Sequence, residues 1–310
     1  MSRSLSIIVL VYNSAEDAQV CVDKLLSFEF PLQVVIVDNR SPDGSFGALK
    51  ERYKDSQRVD VIQTDANRGY SAGNNCGIRY AMERYGSDSV AVMNPDVLIP
   101  DEEMLLALLD LLWSSDDVLA VGGQPINHLE GDSIWPSSWS LPTPWEVVAN
   151  HCLLRRSELR DNAHEISPGV FSVDCIVGCF FIAKAGKFSE VGLLDEGVFL
   201  YNEENILGKK CKAAGLRLLV DKSRTYYHNH SPNAVRARSL KSRLSSARIG
   251  YKSRQYLAST YYSPLLSFPL WWVEMINELE IALGWLLHDA FRNSNETVIS
   301  GNDGDANPCS

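Results

Sequence analysis

The first hundred residues alternate short apolar runs with stretches of mixed polarity, and this alternation restricts the fold more than any other feature of the chain. The runs are rich in valine and isoleucine and cover residues 5–12, 33–38, 59–63 and 90–93. Continuous β-prone runs of this length are typical of buried strands, and the stretches between them have helical spacing and N-cap residues. Strands that alternate with helices predict an α/β fold with a mostly parallel central sheet flanked by helices.

Polar residues mark the end of each predicted strand. They are Tyr12 and Asn13, Asp38 and Asn39, Asn67, and Asn94 and Asp96. The carboxyl ends of parallel strands meet at one edge of a sheet, which is where the ligands of open α/β folds bind. The sequence therefore predicts one site at this edge, organised around Asp96.

The remainder of the chain has a weaker pattern. An amphipathic helix is predicted over 101–113, a strand over 173–182, a helix from Glu203 to Ala214 and a last strand over 216–220. Residues 125–168 contain several prolines, serines and tryptophans without clear periodicity, which indicates loops and short elements.

Charge and cysteine content exclude several classes of protein. The net charge of −10 argues against a general nucleic-acid binder, which needs a clustered basic surface. Seven cysteines without a CxxC pair indicate neither a disulfide framework nor a zinc site, and they favour a reducing cytoplasm. The apolar run near the start is too short for a secretory signal, and no run reaches the roughly 20 residues of a membrane span.

Residues 222 to 273 contain no Asp or Glu, although the chain as a whole has an excess of acidic residues. We call these residues the basic segment. An amphipathic helix with three tryptophans is predicted to follow over 271–291. The basic segment could contact the phosphates of a lipid-diphosphate acceptor or an anionic membrane surface at the inner face of the cell membrane. Self-association of a homodimer through the apolar helix face is an equal alternative, and a solvated helix face is the simplest one.

Two of the strand-end carboxylates suit a nucleotide diphosphate and its cation. Asp96 offers the hard oxygen ligands that Mg²⁺ or Mn²⁺ binds together with phosphate oxygens. Asp38 could accept a hydrogen bond from a ribose or a base. Either residue could instead only cap a turn or a helix.

Several segments share their order with a known family. They are residues 8–13, 35–44, 67–75, 94–96 and 192–204, followed by His228. In this order they resemble the motifs of a family 2 glycosyltransferase of the GT-A fold. The Asn94-Pro95-Asp96-Val97 form is similar to the rhamnosyltransferase-like branch that builds bacterial surface polysaccharides, such as capsule or O-antigen.

The resemblance implies a role for each matching residue. Asp96 and His228 would bind Mn²⁺ or Mg²⁺, and Glu204, favoured over Glu203, would be the catalytic base. The nucleotide sugar would contact Val11, Tyr12, Asn13, Asp38, Asn67, Gly69, Gly73, Asn75 and Asn94. The chain would divide into a Rossmann-like nucleotide-sugar-binding half (1–100), an acceptor-binding and catalytic half (101–234), a basic and amphipathic helical region (235–292) and a disordered tail (293–310).

Two positions depart from the family pattern. Asn94 stands where many relatives carry Asp, which removes one anionic ligand, and Glu203-Glu204 stands where Glu-Asp is usual. Acids at the start of a helix are also favoured by the helix dipole alone. His228, like the neighbouring His230, could be a hydrogen-bonding residue after a buried strand rather than a ligand.

The expected activity is an inverting, metal-dependent transfer of a sugar from a UDP- or dTDP-activated donor, of rhamnose, galactose or glucose type. A carboxylate would deprotonate an acceptor hydroxyl on a growing, lipid-linked glycan while the cation stabilises the departing diphosphate. A silent nucleotide-sugar-binding subunit of a polysaccharide assembly complex is one alternative. A sugar-phosphate nucleotidyltransferase is another, although residues 10–14 lack the glycines of its phosphate loop.

Overall fold

The computed structural model describes residues 4–127, 132–149, 160–229 and 239–300. The strands are β1 Leu5–Val11, β2 Leu32–Asp38, β3 Val59–Gln63, β4 Ser89–Met93, β5 Val97–Leu98, β6 Val118–Asn127, β7 Ser133–Ile134, β8 Ser138–Trp139, β9 His164–Ser167, β10 Val170–Val173, β11 Cys175–Ile176, β12 Phe180–Lys184 and β13 Arg217–His228. The helices are α1 Ala15–Leu26, α2 Ser45–Tyr53, α3 Tyr70–Tyr85, α4 Glu102–Leu112, α5 Pro144–Ala149, α6 Ala185–Glu190, α7 Glu203–Ala213, α8 Leu240–Tyr261 and α9 Ser267–Ser300, with a 3-10 turn at Pro264–Leu266.

The central sheet has the strand order β3-β2-β1-β4-β12-β6-β13-β10-β9. Its first four strands are parallel, as the alternation of strands and helices predicts. Strand β12 then runs antiparallel between β4 and β6, and β13 is parallel to β6. The predicted α/β fold with a central sheet flanked by helices is confirmed, and the second half of that sheet is mixed.

Two predicted strands differ in extent from the observed ones. The run over 173–182 is divided among β10, β11 and β12, because a bend at Asp174 and a turn at 178–179 interrupt it. The last strand extends eight residues beyond Val220 to His228 because it finds two partners there, β6 along its middle and β5 at its end. This extension carries His228 to the turn after β4.

Helices cover both faces of the sheet, so its central strands are buried on both sides. In β1, Ile7 and Val9 pack on the side of α1 and α4, whereas Ile8 packs on the side of α3 and α7. All three side chains are fully buried. Burial of each such side chain stabilises the fold by roughly 1.5–3 kcal/mol.

The C-terminal part of the described chain is a pair of long helices, α8 and α9. They pack with α5 and α7 around a separate apolar cluster that includes Val147, Ile206, Leu257 and Leu270. This confirms the predicted helical C-terminal region. Helix α9 includes residues 293–300 of the predicted disordered tail, and residues 301–310 lie outside the described residues.

Helix α9 leaves a row of large apolar side chains in solvent. The most exposed members of this row and of the preceding turn are Leu265, Phe268, Leu279, Leu283 and Leu286. Among the described residues, no helix is both long enough and apolar enough to span a bilayer.

Candidate active site

Asp38 lies at the end of β2 and is fully buried. Its Oδ1 accepts hydrogen bonds from the Ser41 backbone N–H (3.0 Å) and the Gln63 side-chain amide (2.9 Å). Its Oδ2 is also buried but has no hydrogen-bond partner among the described residues. A buried carboxylate oxygen without a partner is costly, so this oxygen is suited to accept a hydrogen bond from a ligand.

The predicted loop over 67–75 is held by Asn39, a residue that the site prediction omits. The Asn39 amide donates to Asn67 Oδ1 (3.0 Å) and to the Gly69 carbonyl oxygen (3.2 Å). Asn67 Oδ1 also accepts from the Gly69 N–H (3.0 Å). These bonds fix the turn that begins α3 beside the ends of β1 and β2.

Gly69 and Gly73 are sites of close packing. Gly69 has φ +100°, and a Cβ there would lie 2.1 Å from the carbonyl oxygen of Phe199. The next N–H, that of Tyr70, donates to this same carbonyl at 2.8 Å. A Cβ on Gly73 would lie 2.4 Å from Leu10 Cδ1. Both glycines therefore allow α3 to approach its neighbours.

Residues at the end of β1 mainly contact other residues of the protein. Val11 is fully buried, and its carbonyl accepts a hydrogen bond from the Asn39 N–H (2.8 Å). Asn13 adopts a left-handed conformation (φ 56°), and its N–H donates to Ser41 Oγ (3.0 Å). Tyr12 between them is 49% exposed, so its ring is open to a ligand at this edge.

Asn75 occupies a different position from the one predicted. Its amide nitrogen donates to the Leu194 carbonyl (2.8 Å) and to Glu196 Oε1 (2.9 Å), and its oxygen accepts from the Leu194 N–H (3.1 Å). The side chain is 1% exposed. It therefore connects α3 to the segment before Glu203 and Glu204, whereas the sequence predicts a contact with the nucleotide sugar.

The structure brings together the two predicted metal ligands. Asp96 Oδ1 lies 3.4 Å from His228 Nε2, because β13 ends against β5, the strand that directly follows Asp96. Two adjacent ligands of one octahedral Mg²⁺ or Mn²⁺ are about 3 Å apart, so this pair fits a divalent cation. No third His, Cys, Asp or Glu completes a metal cluster within the described ranges. Oxygens of a bound diphosphate would have to supply further ligands.

The surroundings of His228 change the pKa of its imidazole. Burial lowers the pKa of His228, but hydrogen bonds and charge interactions with Asp96 and Cys179 outweigh burial and raise the pKa to about 10. The Trp135 ring stands edge-on to the imidazole at 5.5 Å. His230 lies outside the described residues.

Asn94 lies on the side of the site where Glu203 and Glu204 begin α7. Its N–H donates to the Cys179 carbonyl (2.8 Å) and so extends the pairing of β4 with β12. Its Oδ1 lies 3.2 Å from the Tyr70 hydroxyl, which is also 2.7 Å from the Gly178 carbonyl oxygen. Asn94 thus contacts the segment on which Glu204 packs.

Glu203 and Glu204 begin α7. Glu204 packs on Gly178, where a Cβ would lie 2.7 Å from Glu204 Oε1. Burial raises the pKa of Glu204, although hydrogen bonds from backbone groups, including Gly178, partly oppose this. Glu203 is 5% exposed, and burial followed by the charge of Glu204 raises its pKa to about 8. Residues 201 and 202 precede them in left-handed conformations.

Sequence reasoning missed the residues that connect the two halves of the site. Tyr70 follows the Asn67-Arg68-Gly69 turn directly. It lies inside the family motif over residues 67–75, and this position could have identified it as a site residue. Gly178 and Cys179 lie within a run predicted as continuous strand, so no local pattern separates them from core residues. Their position depends on the antiparallel pairing of β12 with β4.

The fold is an α/β fold with a cluster of polar residues at the carboxyl ends of its strands, and comparison with known proteins identifies the family of the chain. The sequence profile described as "Glycosyl transferase family 2" matches residues 6–182. This is more than half of the chain, and the chain belongs to this family. The match ends before Glu203, Glu204 and the C-terminal helices.

Curated relatives are a little more than a quarter identical to the chain over the residues that align. The low-salt glycan biosynthesis hexosyltransferase Agl10 of Haloferax volcanii is 28% identical over 204 residues, which are 66% of this chain and 60% of that protein. The N-acetylglucosaminyl-diphospho-decaprenol L-rhamnosyltransferase of Mycobacterium tuberculosis is 27% identical over 245 residues, which are 74% of this chain and 77% of that protein. The chain therefore spans less than two thirds of the first relative.

Among solved structures, the chain resembles a mannosyltransferase of Pyrobaculum calidifontis in complex with GDP-Man and Mn²⁺. The TM-score is 0.55 at 14% identity, and the match covers 98% of this chain and 82% of the other. This likeness confirms the GT-A glycosyltransferase fold that the sequence motifs predict.

Proposed function

We propose that the protein is an inverting glycosyltransferase that moves a sugar from a UDP- or dTDP-sugar to a hydroxyl of a lipid-linked glycan. The donor sugar would be of rhamnose, galactose or glucose type. The observation that carries this proposal is the convergence of one half of the site, around Asp38, with the other half of the site, which holds the Asp96–His228 pair and Glu204. Hydrogen bonds of Asn39, Tyr70 and Asn94 connect these two halves of the site. Two of the characterised relatives are glycosyltransferases, which supports the class of reaction.

Each half has a distinct chemical task. The buried Asp38 oxygen accepts a hydrogen bond from the nucleoside, while Asp96 and His228 hold a divalent cation together with diphosphate oxygens. Such a cation, when bound, neutralises the charge that develops on the departing diphosphate. Asn94 and Tyr70 lie between the two halves and would border the sugar of the donor.

Glu204 is the better candidate for the base. A general base works best when its pKa lies near the operating pH, and burial raises the pKa of the Glu204 carboxyl toward that range. Glu204 also packs on Gly178, next to the segment that contacts Asn94 and Tyr70. Glu203 is 5% exposed and one of its oxygens has no hydrogen-bond partner in the described chain, so Glu203 is the alternative base.

Donor turnover tests this proposal. A panel of UDP- and dTDP-sugars is offered with Mn²⁺ and a lipid-linked acceptor, and donor consumption is measured for the wild type, Asp96→Ala and Glu204→Gln. We expect Asp96→Ala to lose cation-dependent donor binding and Glu204→Gln to bind donor without transferring sugar. Glu190→Gln, on the exposed end of α6, serves as the control.

Three outcomes would count against it. Equal turnover by wild type and Asp96→Ala removes the metal assignment, and normal turnover by Glu204→Gln removes the base. Nucleotide-sugar binding without turnover on every acceptor would instead indicate a silent binding subunit.

A membrane surface is the partner that we propose for the exposed face of α9, at the cytoplasmic side. Acidic residues on this helix would repel anionic lipid, but two of them are paired with arginines of α8. Glu274 is paired with Arg254 (3.2 Å), and Glu278 with Arg248 (2.7 Å). The exposed apolar row and the basic residues of α8 then present an amphipathic surface.

A further inference from the structure

Tyr70 begins α3, next to the half of the site around Asp38, and bonds to the other half at two points. Its N–H donates to the Phe199 carbonyl (2.8 Å), and its hydroxyl donates to the Gly178 carbonyl (2.7 Å). Phe199 belongs to the segment that leads into α7, and Gly178 belongs to the turn on which Glu204 packs. One residue therefore connects α3 with both segments next to Glu204.

The Tyr70 hydroxyl has one proton and two acceptor oxygens within reach. The Gly178 carbonyl oxygen lies 2.7 Å away and Asn94 Oδ1 lies 3.2 Å away, so the bond to Gly178 is the stronger one. An aspartate at position 94 would be a charged acceptor and would draw the proton away from Gly178. The neutral amide of Asn94 leaves the proton with Gly178.

Gly178 also contacts the carboxylate of Glu204. Burial raises the pKa of Glu204, and a hydrogen bond from the Gly178 backbone is among those that oppose this rise. A Cβ at position 178 would lie 2.7 Å from Glu204 Oε1, so any other residue there would displace the carboxylate. The position of the Gly178 backbone therefore sets the position of the Glu204 carboxylate.

The Tyr70 side chain is itself fixed in place. Its ring packs against the apolar cluster that includes Ile8 and Ala81. Burial raises the pKa of Tyr70 well above its usual value, and the charges of Cys179, Glu203 and Glu204 add to this rise. The hydroxyl therefore stays protonated, and a fixed donor of this kind can hold a carbonyl group in one position.

We infer that Tyr70 is a positioning residue, whose hydroxyl holds the Gly178 carbonyl and thereby fixes the Glu204 carboxylate relative to the half of the site around Asp38. The inference rests on the proposed function, in which Glu204 is the base. Tyr70→Phe removes the hydroxyl alone, because phenylalanine keeps the ring in the apolar cluster.

The Gly178 N–H signal in NMR spectra of the full chain, labelled with ¹⁵N-glycine, tests this inference without any substrate. Its absence in Gly178→Ala identifies the signal, and Glu204→Gln identifies the part of its pH titration that is due to Glu204. We expect Tyr70→Phe to move the signal. The Glu204 titration should also shift to higher pH, because a weaker bond from Gly178 stabilises the carboxylate less.

Other titratable groups interact with Glu204 and need a separate measurement. They are Glu203 on the same helix, Cys175 in β11 and Tyr70 itself. Glu203→Gln is therefore titrated in parallel, which separates the ionisation of the two neighbouring glutamates.

Tyr80→Phe is the matched control for Tyr70→Phe. Tyr80 lies on the same helix, and its hydroxyl donates to Asp60 in β3 (2.7 Å). The substitution removes the same atom and the same kind of bond at a place outside the site. We expect it to leave the Gly178 signal and the Glu204 titration unchanged.

Asn94→Asp, alone and combined with Tyr70→Phe, tests the competition for the single proton. The Gly178 signal is measured in EDTA at neutral pH, so that no cation binds to the new carboxylate. We expect aspartate to move the signal, and to move it less when the hydroxyl is absent, because both substitutions then act on the same bond.

Donor turnover measures the effect on the reaction. We expect Tyr70→Phe to lower kcat about tenfold, the effect of one hydrogen bond, while the KM for the donor changes little. Tyr80→Phe should change neither value. Melting temperatures of all variants identify any that fail to fold.

The inference is overturned if Tyr70→Phe leaves the Gly178 signal and the Glu204 titration unchanged, or if Tyr80→Phe changes both equally. A signal that moves while kcat stays the same also overturns it, because the contact would then have no role in the transfer. A wild type that transfers sugar to no acceptor would remove the proposed function instead. The Gly178 titration would still decide whether Tyr70 positions the Glu204 carboxylate.

Discussion

At the scale of single residues, the burial of Asp38 makes it a candidate for contact with a ligand. Its Oδ1 is satisfied by Ser41 and Gln63, while its buried Oδ2 has no partner among the described residues. A buried carboxylate oxygen without a hydrogen-bond partner lowers the stability of the folded protein, so stability does not explain why this oxygen is buried.

We therefore expect Asp38→Asn to weaken binding of UDP or dTDP by about 10- to 100-fold, the effect of one hydrogen bond to a charged group. Asparagine keeps an acceptor for Ser41, so the melting temperature should change little. Asp60→Asn is the control, because Asp60 accepts bonds from Tyr80 and Tyr85 on the outer strand β3. Equal weakening by both substitutions would contradict a direct role for Asp38.

Glu203 gives the protein a pH dependence of stability. Its folded pKa of about 8 lies above the value near 4.5 of an exposed glutamate, because of burial and the charge of Glu204. Between these two values the folded state keeps a proton that the unfolded state releases, so stability falls as the pH rises from about 4.5 to about 8.

Glu203→Gln removes this proton-dependent term. We expect the variant to melt about 2–4 °C above the wild type at pH 8, with the difference shrinking toward pH 5. Thermal unfolding at a series of pH values measures it, with the exposed Glu51→Gln as the control. A wild-type stability that rises between pH 5 and pH 8, with no change in Glu203→Gln, would show that the Glu203 pKa is not raised.

At the scale of elements, the start of α3 and the segment before α7 form one unit. Gly69 allows the Phe199 carbonyl to approach the backbone of α3, and the Tyr70 N–H donates to that carbonyl. The nucleotide half and the carboxylate half therefore contact each other through backbone atoms. This contact joins two segments about 130 residues apart in the chain.

A Gly69→Ala substitution would break this contact. The added Cβ would lie 2.1 Å from the Phe199 carbonyl oxygen, at a φ of +100°. Relief of this clash would require movement of the backbone at residue 69 or at Phe199. We expect a loss of at least about 2 kcal/mol in the free energy of unfolding, together with loss of donor binding. Urea titration measures the first effect.

Gly47→Ala is the matched control for Gly69→Ala. Gly47 lies in α2 with nothing within 4 Å of an added Cβ, and alanine there should be neutral or stabilising by up to about 1 kcal/mol. If both substitutions destabilise the protein equally, the close approach at Phe199 is not the cause.

At the scale of the whole molecule, one surface combines the exposed row of α9 with the basic face of α8. Trp271 and Trp272 are each about half exposed and stand edge to face at 4.8 Å, next to Phe268. Complete burial of such a side chain contributes roughly 1.5–3 kcal/mol, and a half-exposed one contributes about half of that on leaving water, so this surface is suited to the interface of a bilayer.

We expect the full chain to bind vesicles of mixed phosphatidylcholine and phosphatidylglycerol, and to bind less at high salt. The double variant Phe268→Ser and Trp272→Ser should weaken binding at least about tenfold, because two apolar side chains no longer leave water. Val20→Ser on α1 is the control, since Val20 is 63% exposed but lies far from this surface in the chain. Vesicle flotation is the measurement.

The competing partner for this surface is a second copy of the chain. A protein that ignores vesicles, and whose dimer is broken by the same double variant in ultracentrifugation, would assign the α9 face to a homodimer. Vesicle binding that both Val20→Ser and the double variant weaken alike would not support the α9 face.

The sequence determined the alternating strands and helices, the parallel first half of the sheet, and the family to which the chain belongs. These features follow from local periodicity and from short motifs at strand ends, such as Asn94 to Asp96, that neighbouring residues produce by themselves. Asp38, Asp96 and Glu204 were therefore identifiable as candidates before the fold was known.

Only the tertiary structure decided which of these candidates meet and what surrounds them. The pairing of β13 with β5 places His228 beside Asp96, and the pairing of β12 with β4 brings Gly178 and Cys179 to the site. Asn75 instead bonds to the segment at 194–196, and the C-terminal helices enclose a cavity beside Asn202 and Asn205 at the start of α7. All these contacts join residues distant in the chain, and no local pattern encodes them because each depends on how whole elements pack.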